Sequence, residues 1–380
     1  MSGAIIIPPM KKITTLLVTA LIFVSACQPP GMSEPPRALS ETAPATETSV
    51  PTLEVIPLPI GYGSRGGWYE LYFTDPFNPL SEQRTGGIDG PFVAAIDSAR
   101  LTLDIAIYSI GLRSIRDAII RAHKRGVQVR MVMESDNMDR SAPQRLKEAG
   151  IPILGDRREG LMHNKFVIID SHEVWTGSAN FTETGLYADN NFLLRIRSVK
   201  VVENFAKEFN EMFVEDKFGD NIVPETPNPS VAIDGTEVET WFSPDDGVAA
   251  RIVELVNEAQ YSIYFMAFSF TSDPIGEAMR ARAAAGVTVA GVMDDEQIRS
   301  NIGTEFDPFQ QARLDVYRDG NPGQMHHKVI IIDGRTVILG SYNFSNAAET
   351  RNDETVLIIH DEQFAAQFIV EFQRVYGMAK

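Results

Sequence analysis

The sequence predicts an α/β protein built from two similar lobes. Three observations lead there. A strand–helix–strand pattern is written twice, a short His/Lys/Asp/Asn constellation recurs at one spacing in each copy, and a Pro-rich stretch lies between the copies. At 380 residues the chain exceeds one average domain and suits two, or one bilobal unit. Its 44% apolar and 22% charged content is that of an ordinary globular protein. The formal net charge of -17 weighs against a sequence-independent grip on nucleic acid, which needs Lys and Arg to displace counterions from phosphates.

Residues 1–27 read as an address rather than as structure. Lys11-Lys12 form a basic start, and Ile13 to Val24 form an apolar run too short for a bilayer span of ~20 residues but suited to a secretory signal. The run ends Val24-Ser25-Ala26-Cys27, which resembles a bacterial lipobox, in which cleavage precedes the Cys and its thiol is lipidated. Met10 directly before Lys11 is an alternative start. Cys27 is the only Cys, so no internal disulfide can form. The expected protein is exported and lipid-anchored at the cell envelope. Residues 28–60 are rich in Pro, Thr, Ser and Glu and read as a disordered tether, because such a segment cannot bury enough apolar surface to offset its ordering entropy.

The first lobe is expected over 61–217. Leu101 to Tyr108 reads as a buried strand, Ser114 to Arg125 as a helix with Ile115, Ile119 and Ala122 at helical spacing, and Val127 to Met133 as the next strand. Gly126 stops the helix. Residues 218–235 carry Pro224, Pro227 and Pro229 and read as a linker. The second lobe, over 236–380, repeats the order: strand Tyr261 to Phe268, helix Pro274 to Ala285, Gly286, strand Val287 to Met293. Gly126 and Gly286 lie 160 positions apart and His163 and His326 lie 163 apart, so the surplus falls in the stretch 294–313. This order implies βαβ units and a mixed or parallel sheet in each lobe, flanked by helices.

The constellation is His326-x-Lys328, four residues, Asp333, six residues, Gly340-Ser341-x-Asn343; the earlier copy is His163-x-Lys165, Asp170, Gly177-Ser178-x-Asn180. It sits on a strand–turn–strand, with Val329 to Ile332 continuously apolar, Asp333-Gly334 as the hairpin signal and Val337 to Leu339 returning. Alternation along a strand puts His326 and Lys328 on one face, and likewise His163 and Lys165. An imidazole beside an ammonium suits a phosphate, offering a nucleophile or acid next to a neutralising charge.

This repeat resembles the HKD signature of the phospholipase D superfamily, over roughly residues 65 to 378. The resemblance implies two lobes related by pseudo-two-fold symmetry and one active site shared between them. One of His163 and His326 would attack phosphorus to give a phosphohistidine, and the other would protonate the leaving alcohol and then deprotonate water. Lys165, Lys328, Asn180 and Asn343 would hold the non-bridging oxygens, with Ser178 and Ser341 behind them. Asp170 and Asp333 complete the signature and are counted with the catalytic set, although strand spacing turns them away from the His and toward a structural task. The resemblance calls for no metal and no cofactor, and the sequence has no His/Cys/carboxylate cluster at ligand spacing.

Family members commonly place a carboxylate after each motif to orient the imidazole. Glu354 lies 28 residues after His326, whereas the same offset from His163 reaches Asn191. Pairing each His with the residue that follows it makes His326, beside Glu354, the protonated acid and leaves His163 as nucleophile, since a carboxylate raises the pKa of its His. Asp189 is another candidate for the missing carboxylate, and a Glu partner could equally sharpen a nucleophile. The remaining His residues read as bland: His123 and His172 as solvated, His327 as packing on the opposite face, and His360 as a strand end.

Three functions compete on this reading. The first is hydrolysis of a phosphatidylcholine-like phospholipid to phosphatidic acid and head group by a monomer. The second is cleavage of DNA or RNA by the same residues, which the acidic balance disfavours. The third is a non-catalytic envelope lipoprotein, which the presence of both His and both Lys disfavours.

Overall fold

The structure, a computed structural model, describes residues 53–219 and 223–380. The expected leader, Cys27 and most of the expected tether lie outside the described residues. In the first lobe the order is β1 (Glu54–Pro57), β2 (Tyr62–Arg65), β3 (Tyr69–Phe73), α1 (Asp89–Ser98), β4 (Thr102–Ile107), α2 (Arg113–Lys124), β5 (Gln128–Met133), α3 (Ser141–Glu148), β6 (Ile153–Gly155), β7 (Lys165–Ile169), β8 (Glu173–Gly177), α4 (Glu183–Tyr187), β9 (Phe192–Ile196) and α5 (Val199–Phe213). The second lobe follows with β10 (Ser230–Ile233), β11 (Thr236–Ser243), α6 (Val248–Glu258), β12 (Ser262–Ala267), α7 (Asp273–Ala284), β13 (Thr288–Met293), α8 (Asp295–Ser300), α9 (Phe306–Gln311), β14 (Asp315–Arg318), β15 (Lys328–Ile332), β16 (Thr336–Gly340), α10 (Asn346–Thr350), β17 (Glu354–His360) and α11 (Glu362–Ala379).

The first sheet runs β1-β2-β3-β9-β8-β7-β4-β5-β6 and the second β10-β11-β17-β16-β15-β12-β13-β14. Both are mixed: β4/β5/β6 and β12/β13/β14 are parallel, and the other pairs are antiparallel. The parallel pairs are those joined by helical crossovers, α2 and α3 in the first sheet and α7 and the α8–α9 stretch in the second, since only a crossover can return a strand in the same sense. Two of the sequence-drawn boundaries move. The tether read to 60 ends earlier, because Glu54–Pro57 pairs with Tyr62–Arg65. The linker read to 235 is shorter, because Ser230–Ile233 pairs with β11.

A continuous apolar core lies between the two sheets. It takes Phe166, Ile168, Leu194 and Val174 from the first, Val329, Ile331, Leu339 and Leu357 from the second, and Phe205, Phe209, Phe364 and Phe368 from α5 and α11. Separate cores lie under α1 and α2 on one outer face and under α6 and α7 on the other. The long helices α5 and α11 are thus inner layers that hold the lobes together. Trp68 and Tyr69 pack against Phe364 of α11 in that core.

Asp170 and Asp333 show how each hairpin is fixed. Each adopts a left-handed conformation, with φ of 52° in both, a region that Asp tolerates better than most residues. The Asp170 carboxylate accepts from the backbone amides of Arg100, Leu101 and Thr102, and Asp333 accepts from Gln260, Tyr261 and Ser262. Burial pushes the Asp170 carboxyl up, but the three amides outweigh it and hold the group below the usual range. Each Asp stands at the far end of its strand from the Lys, about 16 Å away at ~3.3 Å per residue. Their inclusion with the catalytic set is therefore corrected: they anchor the hairpin to β4 and β12.

Candidate active site

Lys165 and Lys328 open β7 and β15, and each Nζ donates to the carbonyl of the His two residues earlier, at 2.7 and 2.8 Å. That bond folds ammonium and imidazole onto one face, as strand alternation requires. The two faces meet at the lobe boundary through reciprocal bridges, Met162 with Asp353 and Asn190 with Met325. The amide of His163 donates to Asp353 O and the amide of His326 donates to Asn190 O. Each motif strand is therefore stitched to the other lobe immediately before the residue that orients its His.

This stitching overturns the pairing drawn from sequence offsets. His163 Nδ1 lies 2.7 Å from Glu354 Oε2, and His326 Nδ1 lies 2.9 Å from Asn191 Oδ1. Each His takes its partner from the opposite lobe. A fixed offset along the chain could not reveal this, because the contact depends on how two strand ends cross the boundary. Asp189, the other candidate, accepts from the Gln324 amide instead. Glu354 also accepts from Ser341 Oγ at 2.7 Å and from Asn352 Nδ2 at 3.2 Å. Asn191 mirrors it, accepting from Ser178 Oγ at 2.7 Å while its amide nitrogen donates to Gly185 O. Because Asn191 presents its oxygen, His326 must carry its proton on Nδ1. The Nε2 atoms of both rings make no hydrogen bond among the described residues. Both imidazoles are thus held in one tautomer with Nε2 free.

The Gly-Ser-x-Asn element serves this geometry. A Cβ at Gly177 would stand 2.3 Å from Phe192 O, and one at Gly340 would stand 2.0 Å from Thr355 O. Only glycine lets β8 and β16 approach closely enough for the next Ser to reach Asn191 or Glu354. Asn180 and Asn343 are brought to the same region, and neither amide oxygen has a partner among the described residues.

Burial dominates the electrostatics. Lys165 is 1% exposed and Lys328 2%. Burial pushes the Lys165 ammonium down to about 7 in spite of Glu354, and burial with the charge of Lys165 pushes Lys328 well below its ordinary value. Burial pushes His163 down to about 4, with Glu354 opposing and the two Lys assisting, and His326, which lacks a carboxylate, is held well below its ordinary value. Glu354 is below the carboxylate range because His163 and Lys165 outweigh its own burial. Two desolvated lysines, their ammonium forms disfavoured by burial, and two neutral imidazoles form a site poised for an anion, whose arrival would restore the charges that burial suppresses. Among the described residues no three His, Cys, Asp or Glu side chains converge to hold a metal ion.

Several residues of the site escaped sequence reading. Tyr108 packs edge-on against His163 and Phe268 packs at a tilt against His326, with ring centroids 5.0 and 4.8 Å apart. Glu134 and Asp294 accept the amides of Met162 and Met325, each at 3.0 Å. Both pairs lie 160 positions apart, the offset of Gly126 and Gly286, and superposing the repeat on itself would have exposed them. Arg158 closes the boundary by pairing with Asp353 and with the carbonyl of Arg351. Behind the site, Asn164 bonds Glu208 of α5, and His327 bonds Glu371 of α11 at 2.9 Å, confirming His327 as a packing residue with a polar anchor. His360 also has partners, Glu239 and Thr336.

A family model described as cardiolipin synthase, PLD-like domain, matches residues 92–213 and 252–376, one stretch in each lobe and together more than half of the chain. The chain belongs to the phospholipase D superfamily. A protein named phospholipase D from Rickettsia typhi is 39% identical over 135 residues, which are 35% of this chain and 64% of that protein. The mitochondrial cardiolipin hydrolase of Homo sapiens is 32% identical over 131 residues, 34% of this chain and 52% of that one. This superfamily member thus spans just under two thirds of the Rickettsia relative and about half of the human one. The crystal structure of phosphatidylserine synthase from Haemophilus influenzae Rd KW20 has a TM-score of 0.56, covering 78% of this chain and 84% of that one at 15% identity, a likeness of fold alone.

Proposed function

We propose that this protein is a phosphodiesterase of phospholipase D type that hydrolyses a phospholipid through a covalent phosphohistidine. The observation that carries the reading is the pair of neutral imidazoles, each tied at Nδ1 by the opposite lobe and free at Nε2, with a buried Lys beside each. His163 Nε2 attacks phosphorus as the bond to the leaving alcohol breaks, and His326, which takes up a second proton on Nε2 when the anionic diester binds, gives that proton to the departing oxygen. His326 then takes a proton from water, which attacks phosphorus and releases His163.

The corrected pairing changes the reason for these roles. Once phosphorylated at Nε2 with its Nδ1 proton retained, His163 is cationic, and Glu354 at 2.7 Å stabilises that charge. His326 faces only an amide, so its imidazolium is the stronger acid, and it is charged when a phosphodiester offsets Lys165 and Lys328. These two Lys, with Asn180 and Asn343, neutralise the non-bridging oxygens, so the reading assigns no task to a metal.

A lipid substrate is supported by the names of the relatives, by the net charge of -17 and by the expected anchor at Cys27. With both motifs in one chain, a monomer suffices. The test is a parallel assay of the purified protein on phosphatidylcholine, cardiolipin and single-stranded DNA, with His163→Ala and His326→Ala as controls. Release of phosphatidic acid, abolished in both variants, is expected; cleavage of DNA alone would overturn the lipid reading. The anchor is tested by palmitate labelling, expected in the wild type and lost in Cys27→Ala, whereas unlabelled, soluble protein would overturn it.

A further inference from the structure

The two halves of the site are near copies, and a diester lying on the pseudo-two-fold axis would meet almost the same groups in either of two orientations. Among the side chains that touch the two imidazoles, two positions break the equivalence. One is Glu354 against Asn191. The other is Tyr108 against Phe268: both rings pack on a motif His, and both lie under a motif Lys, with Lys165 Nζ 5.3 Å from the Tyr108 centroid and Lys328 Nζ 4.7 Å from that of Phe268. The aromatic ring is therefore common to both sides, and the phenolic oxygen is not.

That oxygen has no structural task. Tyr62, Tyr72, Tyr187 and Tyr342 each donate to a carboxylate. The Tyr108 hydroxyl has no partner among the described residues, and its oxygen is not enclosed by protein, so it lies on the open side of a half-buried ring. The ring itself is held from elsewhere: the Tyr108 carbonyl accepts from Asn137 Nδ2 at 2.8 Å, and the ring edge meets His163. An unused donor beside one imidazole and one ammonium is placed to meet an anionic oxygen.

We infer that the Tyr108 hydroxyl donates a hydrogen bond to a phosphoryl oxygen of the bound diester on the His163 side. Phe268 cannot do this beside His326, so Tyr108 selects one of the two pseudo-equivalent orientations. The inference rests on the phosphodiesterase reading above. It acts in concert with Glu354, since both place the extra polar interaction on the lobe face that presents His163 to phosphorus.

The test uses the full-length protein and three variants, Tyr108→Phe, Phe268→Tyr and the exchange Tyr108→Phe/Phe268→Tyr. The readouts are kcat and KM on bis(4-nitrophenyl) phosphate, the competitive inhibition constant of inorganic phosphate, and the thermal unfolding midpoint. Tyr108→Phe deletes one oxygen and keeps every ring contact. A hydrogen bond to a charged partner makes a roughly 10- to 100-fold difference. The expected result is a loss of that size in kcat/KM, a weaker phosphate inhibition constant, an unchanged midpoint, and no rescue by the exchange. A kcat/KM and inhibition constant within twofold of wild type would overturn the inference, as would full rescue by the exchange. A wild type that binds phosphate but forms no phosphohistidine would sink the parent reading instead, and the inhibition constant of Tyr108→Phe would still report the contact.

Discussion

Replacing Glu354 by Gln removes the carboxylate from His163 and changes little else in shape. Glu354 is fully buried and lies 2.7 Å from Nδ1, so neither solvent nor salt screens the pair strongly. Unit charges at ~4 Å attract by about 4 kcal/mol at an effective dielectric constant of 20, and charge-assisted hydrogen bonds measured by mutation contribute about 1.5–3 kcal/mol. Taking ~2–3 kcal/mol for the charge that develops on His163, phosphoenzyme formation should slow roughly 30- to 150-fold. Rapid-quench measurement of the phosphohistidine burst reads this step directly. Because Asn352 Nδ2 donates to the other carboxylate oxygen, the unfolding midpoint must be followed in parallel. Glu354 also holds the pKa of His163 up against burial, so the acid limb of kcat/KM, expected near pH 4 in the wild type, should move lower still in the variant. A burst rate within threefold of wild type in a fully folded variant would refute the assignment of Glu354 to His163.

Other expectations follow from the same geometry. Lys165→Met should lower kcat/KM by ~10²–10³, as loss of one charge-stabilising donor does, yet stabilise the fold by ~2–4 kcal/mol, because burial depresses the ammonium to about 7. The sign is fixed: a Lys depressed on folding makes wild-type stability rise with pH from about 7 toward its unfolded value, and denaturant titrations should find that rise missing in Lys165→Met. For the same reason the alkaline limb of wild-type kcat/KM should set in no higher than about pH 7, well below an ordinary Lys. Asp170→Ala should cost ~2 kcal/mol by orphaning three backbone amides while leaving kcat of the folded fraction within twofold; a hundredfold loss of kcat would restore Asp170 to the chemistry. Arg158→Ala should cost about 2–3 kcal/mol at pH 8, because Asp353 is left buried and unpaired, and distinctly less near pH 5, where a carboxyl raised to about 7 by burial is already protonated.

Much of the fold was legible because the chain writes it twice. The apolar runs at Leu101–Tyr108 and Tyr261–Phe268, each followed by an amphipathic helix and a stopping Gly, fixed the parallel centre of both sheets to within a residue or two. The edge strands were harder to read. Glu54–Pro57 and Ser230–Ile233 lie in Pro-rich, polar stretches and become strands only because a neighbouring hairpin offers partners, a tertiary cause that composition does not carry. In the site, His163, Lys165, His326 and Lys328 could be read from spacing, since a two-residue offset on a strand is a local matter. The pairing of His163 with Glu354 and of His326 with Asn191 could not, because both contacts span the lobe boundary. Tyr108 was hidden for another reason: its ring looks like core, and only the missing partner of its hydroxyl sets it apart.

The central claim is that His163 becomes covalently phosphorylated while His326 moves the proton. The direct measurement is to quench the protein during turnover of a phosphodiester, digest it, and locate the phosphate by mass spectrometry under conditions that preserve phosphohistidine. Phosphate on the peptide containing His163, accumulating further in His326→Ala when the substrate carries a leaving group that needs no proton, is the expected result. Phosphate on His326, or no phosphoenzyme at any time during turnover, would contradict it.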